Sequence, residues 1–215
     1  MKKNLLLLFI CVFLVSCQQS TDQDTTIGSN IEAEVAYFPD IEMGLTLKEA
    51  LESAHKEALK WNKEAMLYSG TSVDRDNAPT GMEGRRKHWN IEFGIPGKTD
   101  FYLVTIRDGK VEDKVHLPNE MEAMPKNQFI SKTEEFKYDT PELLKRAQKI
   151  TKIYPGDTFA KGYNFGFTKH LQKNVPIVMV IGWDQAKENM IYLMFNAVTG
   201  ELEDNFEREQ YKNYR

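Results

Sequence analysis

Both cysteines of this chain, Cys11 and Cys17, fall at its N-terminal end. Everything downstream must therefore fold without a disulfide, a redox pair or a zinc–thiolate site. What holds it has to be buried apolar surface, and 215 residues at 41% hydrophobic content suffice for one or two cores. The end that carries the cysteines does not belong to that body. Lys2 and Lys3 precede an almost unbroken apolar run, Leu5 to Val15. The run is about half of the roughly 20 residues that a membrane-spanning helix needs. A basic start, a short apolar run and then a small residue, Ser16, form a secretory signal.

The end of that signal, Leu14-Val15-Ser16-Cys17, resembles the lipobox of bacterial lipoproteins. The resemblance implies removal of residues 1–16, acyl chains such as palmitate on Cys17, and an extracytoplasmic location on a bacterial membrane. Several acyl chains anchor firmly, because each buried methylene contributes about 0.8 kcal/mol. Losing Lys2 and Lys3 with the leader moves the formal charge of −4 to −6. An acidic body argues against nucleic acid, whose binders carry basic patches. It argues equally against docking on anionic lipid headgroups. The expected partners are the membrane, through the lipid on Cys17, and an envelope protein or peptide.

Residues 17–30 are polar and read as a flexible tether. The first folded unit is expected over 31–117. Thr46 and Glu49 have the spacing of a capping box. Leu47, Ala50, Leu51, Ala54 and Ala58 then recur at helical steps. Strand-like stretches follow. Trp89, Ile91, Phe93 and Ile95 alternate with polar or small residues, and Asp108-Gly109 between two strands is a strong hairpin signal. Residues 118–138 contain Pro118 and Pro125, lack periodicity, and read as a connector. The order then repeats over 139–215. Thr140 is expected as a helix cap with Pro141 at the first helical position. Strands follow, with a turn at Asn196 to Gly200 and a charged tail. The expected fold is α+β: two similar units, each one helix packed on a small antiparallel sheet of three to four strands.

Tyr192, Asn196, Thr199, Gly200 and Glu201 resemble the terminal hairpin of PepSY-type domains, and Thr46, Glu49, Ala50 and Ala54 resemble the opening of their helix. Thr140, Glu142 and Ala147 match that opening loosely. The first unit departs at its turn, which reads Asp108-Gly109-Lys110. The resemblance implies an extracytoplasmic, non-enzymatic module in tandem, of the kind that binds or restrains an envelope protease. It brings no catalytic residues.

The chemistry-bearing residues do not converge. His55, His88, His116 and His170 lack metal-ligand spacing, and no Gly-x-Ser-x-Gly elbow or glycine-rich phosphate loop is present. The chain therefore reads as a non-enzyme with no catalytic residue and no cofactor. Weak metal candidates are the thioethers of Met121 and Met124, suited to Cu(I), and the Asp74-x-Asp76 turn for Ca²⁺. A metal- or small-ligand-binding envelope lipoprotein is the alternative they represent. Among the aromatics, Tyr163, Phe165 and Phe167 are the candidate binding surface, since Gly166 between the two rings allows close backbone approach.

Overall fold

In a computed structural model, residues 44–75, 80–118 and 122–210 are described. Helix α1, Leu47–Trp61, begins at the anticipated capping box: Thr46 Oγ1 accepts from the Glu49 N–H at 3.3 Å, and Glu49 Oε2 accepts from the Thr46 N–H at 2.8 Å. Its buried face is Leu47, Ala50, Leu51, Ala54 and Ala58. The alanines let the helix lie close on the strands. Four strands follow: β1 Met66–Ser72, β2 Trp89–Gly94, β3 Phe101–Arg107 and β4 Lys110–Leu117. Asp108 and Gly109 turn between β3 and β4 with φ of 48° and 73°, as a two-residue hairpin turn requires.

Helix α2, Thr140–Ile150, is capped one residue earlier than expected. Asp139 is the cap, Glu142 completes the box at 2.9 Å, and Pro141 is the second helical residue. Four more strands follow: β5 Asn164–His170, β6 Val175–Trp183, β7 Asn189–Asn196 and β8 Leu202–Glu209.

The two halves do not form two separate helix-on-sheet units. All eight strands join in one antiparallel sheet of order β4-β3-β2-β1-β5-β6-β7-β8, so the protein is mostly β with two α-helices among the described residues. The expected pair of small sheets is overturned by the pairing of β1 with β5, where Gly70 faces Phe167 and Thr71 faces Gly166. Gly70 makes the join possible. A Cβ there would stand 2.4 Å from the Phe167 ring, which occupies the space.

Two registered rows cross the whole sheet. Lys114, Val104, Ile91, Gly70, Phe167, Val178, Phe195 and Leu202 share one face. Both helices pack there. His55 of α1 stacks on Phe93, and Gly182, in phase with Val178, abuts Ile153 just beyond α2. This helix face holds most of the core, including Trp89, Ile91, Phe93, Val104, Phe165, Phe167, Val178, Val180 and Phe195.

The segment 122–138 is more than a connector. Ile130 bridges to Leu67, and Phe129, Ile130 and Phe136 are buried. It fills the space beside the first half of β1, where β5 does not pair. At the other end of the join, Arg86 is fully buried. Its guanidinium donates to the carbonyls of Lys161 at 2.9 Å and Val73 at 3.0 Å, with Asp74 Oδ1 at 3.8 Å. A buried guanidinium stays charged, so these oxygens are required to hold it.

Candidate functional site

The face opposite the helices carries the site. Its full-width row runs Asp113, Thr105, Asn90, Thr71, Gly166, Met179, Met194, Asp204. The row changes character at the β1–β5 join. On the first half this row is polar, Thr71, Asn90, Thr105 and Asp113, with Ser69 Oγ donating to Glu92 Oε2 at 2.6 Å. Further along the same face Leu103, Val115 and Leu117 are outward and half-buried, and Phe129 packs beside Phe101. On the second half the outward positions are apolar. Met179 stands opposite Met194, and the next row places Ile181, Tyr192 and Phe206 side by side. All five are half-buried, not exposed or fully enclosed.

Aromatic contacts fix this patch. Tyr192 and Phe206 stack with centroids 4.4 Å apart and planes 9° apart. The Tyr192 hydroxyl donates to Met190 Sδ at 3.7 Å. Burial raises the tyrosine pKa above its usual value, with Arg208 pulling the other way. Tyr192 therefore stays protonated at neutral pH and presents a rigid, uncharged ring. At one end Phe159 projects into solvent and meets Trp183 edge-on, centroids 6.4 Å apart. At the other, Glu203 bonds Lys173 and accepts from Asn196 Nδ2 at 2.9 Å. These two partners hold its carboxyl below the usual range.

Aromatic and thioether side chains on a flat, half-exposed surface are the composition of protein-binding patches. The arrangement offers shape and apolar area. It offers no nucleophile, base or oxyanion hole.

The residues picked out from sequence lie elsewhere. Tyr163, Phe165 and Phe167 are core side chains instead of an open groove. The Tyr163 hydroxyl donates to the Ile153 carbonyl at 3.1 Å, Phe165 stacks with Trp89, and Phe167 meets Phe136 edge-on. Asp74 is engaged in structure, its Oδ2 accepting from the Lys161 N–H at 2.9 Å. The Met124 carbonyl accepts from the Gly97 N–H at 2.8 Å. Cys17, Asp76 and Met121 lie outside the described residues. Among the described residues, no three His, Cys, Asp or Glu side chains come together as metal ligands.

The histidines are dispersed. His55 stacks on Phe93; His88 Nδ1 accepts from the Asp108 N–H at 3.4 Å; His116 Nε2 is 3.1 Å from Asp100; and His170 Nδ1 accepts from the Lys173 N–H at 3.4 Å. A shallow depression beside His88, lined by Val73, Arg75, Asn90 and Arg107, is open to solvent and has a volume of about 10 Å³. Small-molecule sites are roughly 300–1,000 Å³.

The apolar patch was partly visible in sequence. Met190 to Phe195 and the isolated Phe206 are apolar at positions that a single-faced sheet leaves polar. Alternation alone does not say which set faces the helices.

No protein-family model matches the chain, PepSY included, and no curated protein matches it. Among solved structures, the chain has a likeness to a "putative lipoprotein" from Clostridium difficile 630. The identity is 10% and the TM-score 0.47, over 72% of this chain and 90% of that one. At that level the likeness establishes neither a shared fold nor a shared role. No helix among the described residues is long and apolar enough to cross a membrane.

Proposed function

We propose that this chain is a lipid-anchored extracytoplasmic protein whose sheet binds a polypeptide partner and catalyses nothing itself. The observation that carries the binding role is the contiguous half-buried apolar set Met179, Met194, Ile181, Tyr192 and Phe206 on the face opposite the helices. Apolar outward positions on the second half expose area that solvent penalises at roughly 25 cal/mol per Å². A partner that covers them recovers that energy.

The Leu14-Val15-Ser16-Cys17 sequence supports the anchor. Feeding an alkyne-tagged fatty acid to cells expressing the chain tests it. The expected result is labelled protein in the membrane fraction, with Cys17→Ala unlabelled and retained as the longer precursor. Label that survives Cys17→Ala refutes the anchor. For the binding role, Met194→Lys places a charge in the patch centre without touching the core. It is expected to abolish retention of the partner while leaving the unfolding transition in place. A protease partner is inhibited at one-to-one stoichiometry. Turnover of a peptide or cell-wall substrate by the purified protein contradicts the reading.

A further inference from the structure

Among the described residues, the sheet ends in two edges with no further strand, β4 and β8. Such an edge is a template for another strand, and proteins normally block it with charges or bulges. The two edges differ. In β4, Lys110 and Lys114 balance Glu112 and Asp113, and the charges are engaged: Glu112 pairs with Arg107 at 2.7 Å and Lys114 with Glu57 at 3.3 Å. In β8, four carboxylates, Glu203, Asp204, Glu207 and Glu209, stand against Arg208 alone. Glu203 is engaged by Lys173. Asp204, Glu207 and Glu209 are exposed and make no ion pair with another described residue.

The sides of β8 are also distinct. Glu207 and Glu209 are in phase with Asn205 on the helix face, whereas Phe206 sits on the open face, stacked on Tyr192. From this we infer that β8 accepts an added strand from an extended polypeptide in which basic and apolar residues alternate. Main-chain hydrogen bonds to the free edge supply register-independent affinity. Basic side chains on one side of the new strand pair with Glu207 and Glu209. Apolar side chains on the other side extend the Tyr192–Phe206 shelf by one position. A strand without alternation satisfies one side only.

This inference shares the Tyr192–Phe206 shelf with the open-face reading, but its test uses different residues, Glu207 and Glu209 at the edge, so the two fail separately. A fluorescent peptide of alternating lysine and valine, Lys-Val-Lys-Val-Lys-Val-Lys, is titrated onto the full chain in detergent at low salt. A block peptide of the same residues, Lys-Lys-Lys-Lys-Val-Val-Val, is the control for charge alone. Strand addition predicts that the alternating peptide binds roughly tenfold tighter than the block peptide. It also predicts slowed amide exchange within Leu202–Glu209 and unchanged exchange within Lys110–Leu117. The pair Glu207→Lys and Glu209→Lys alters exposed side chains only and is expected to weaken binding at least about tenfold. Equal affinity for the two peptides overturns the inference, as does β8 exchange that the peptide leaves unaltered.

Discussion

The Leu47 N–H at the start of α1 donates to Thr140 Oγ1 at the start of α2, 3.2 Å away across 93 residues of sequence. The same hydroxyl donates to the Gly84 carbonyl at 2.6 Å. The neighbouring Asp139 Oδ1 accepts from the Lys48 N–H at 3.2 Å. The start of α2 thus caps the start of α1. Orphan N–H groups at a helix start need such partners, and here the second half supplies them to the first.

Thr140→Val keeps the shape of this buried side chain and removes both hydrogen bonds. It leaves the Leu47 N–H and the Gly84 carbonyl unpaired, at a cost of about 2 kcal/mol. Urea unfolding followed by tryptophan fluorescence is expected to show the midpoint falling by that amount. Thr140→Ser is expected to retain most of it. A wild-type midpoint for the valine variant contradicts the cross-capping.

Gly70→Ala tests the join between the halves. The new methyl meets Phe167 Cε1 at 2.4 Å and the Asn90 carbonyl oxygen at 2.9 Å. Neither the ring nor the β2 backbone has room to retreat, and overpacking of this kind costs about 1–3 kcal/mol. Thermal melts should show the loss. Phe167→Leu in the same chain is expected to restore part of it, which a loss due to strand propensity alone does not allow.

Stability should fall in mild acid through His55. Burial against Phe93 holds its pKa below the ordinary 6.5, with Glu134 pulling the other way. The unfolded chain therefore binds the proton more readily than the folded one. The contribution is present above about pH 6.5 and is lost as pH drops from there toward the folded value. Urea midpoints at pH 7.5 and pH 5.5 should differ in that direction, and His55→Gln should narrow the gap. An unchanged gap in the variant assigns the slope to other groups.

The local signals in the sequence were legible, and the long-range ones were not. The Thr46–Glu49 box and the Asp108-Gly109 turn depend on neighbours within a few residues, and both stand as expected. The cap of α2 falls one residue before the position the sequence favours, because Asp139 and Thr140 are both good caps and tertiary contacts claim the threonine. The single sheet was invisible because it depends on two registered pairs, Gly70 with Phe167 and Thr71 with Gly166, that no local pattern announces. The same join explains why Tyr163, Phe165 and Phe167 are core. An edge strand of a small sheet could have shown those rings to solvent, but β5 lies at the centre of eight strands. The apolar patch on β6, β7 and β8 follows once their outward set is known, and that depends on where the helices pack.

The most direct test of the binding surface is site-specific photocrosslinking in living cells. A photoreactive residue is placed at Met194 on the open face, and in a second strain at Lys145, an exposed position on α2. The account predicts one discrete adduct from position 194, recovered in the membrane fraction and absent from position 145. No adduct from 194, or the same adducts from both positions, contradicts it.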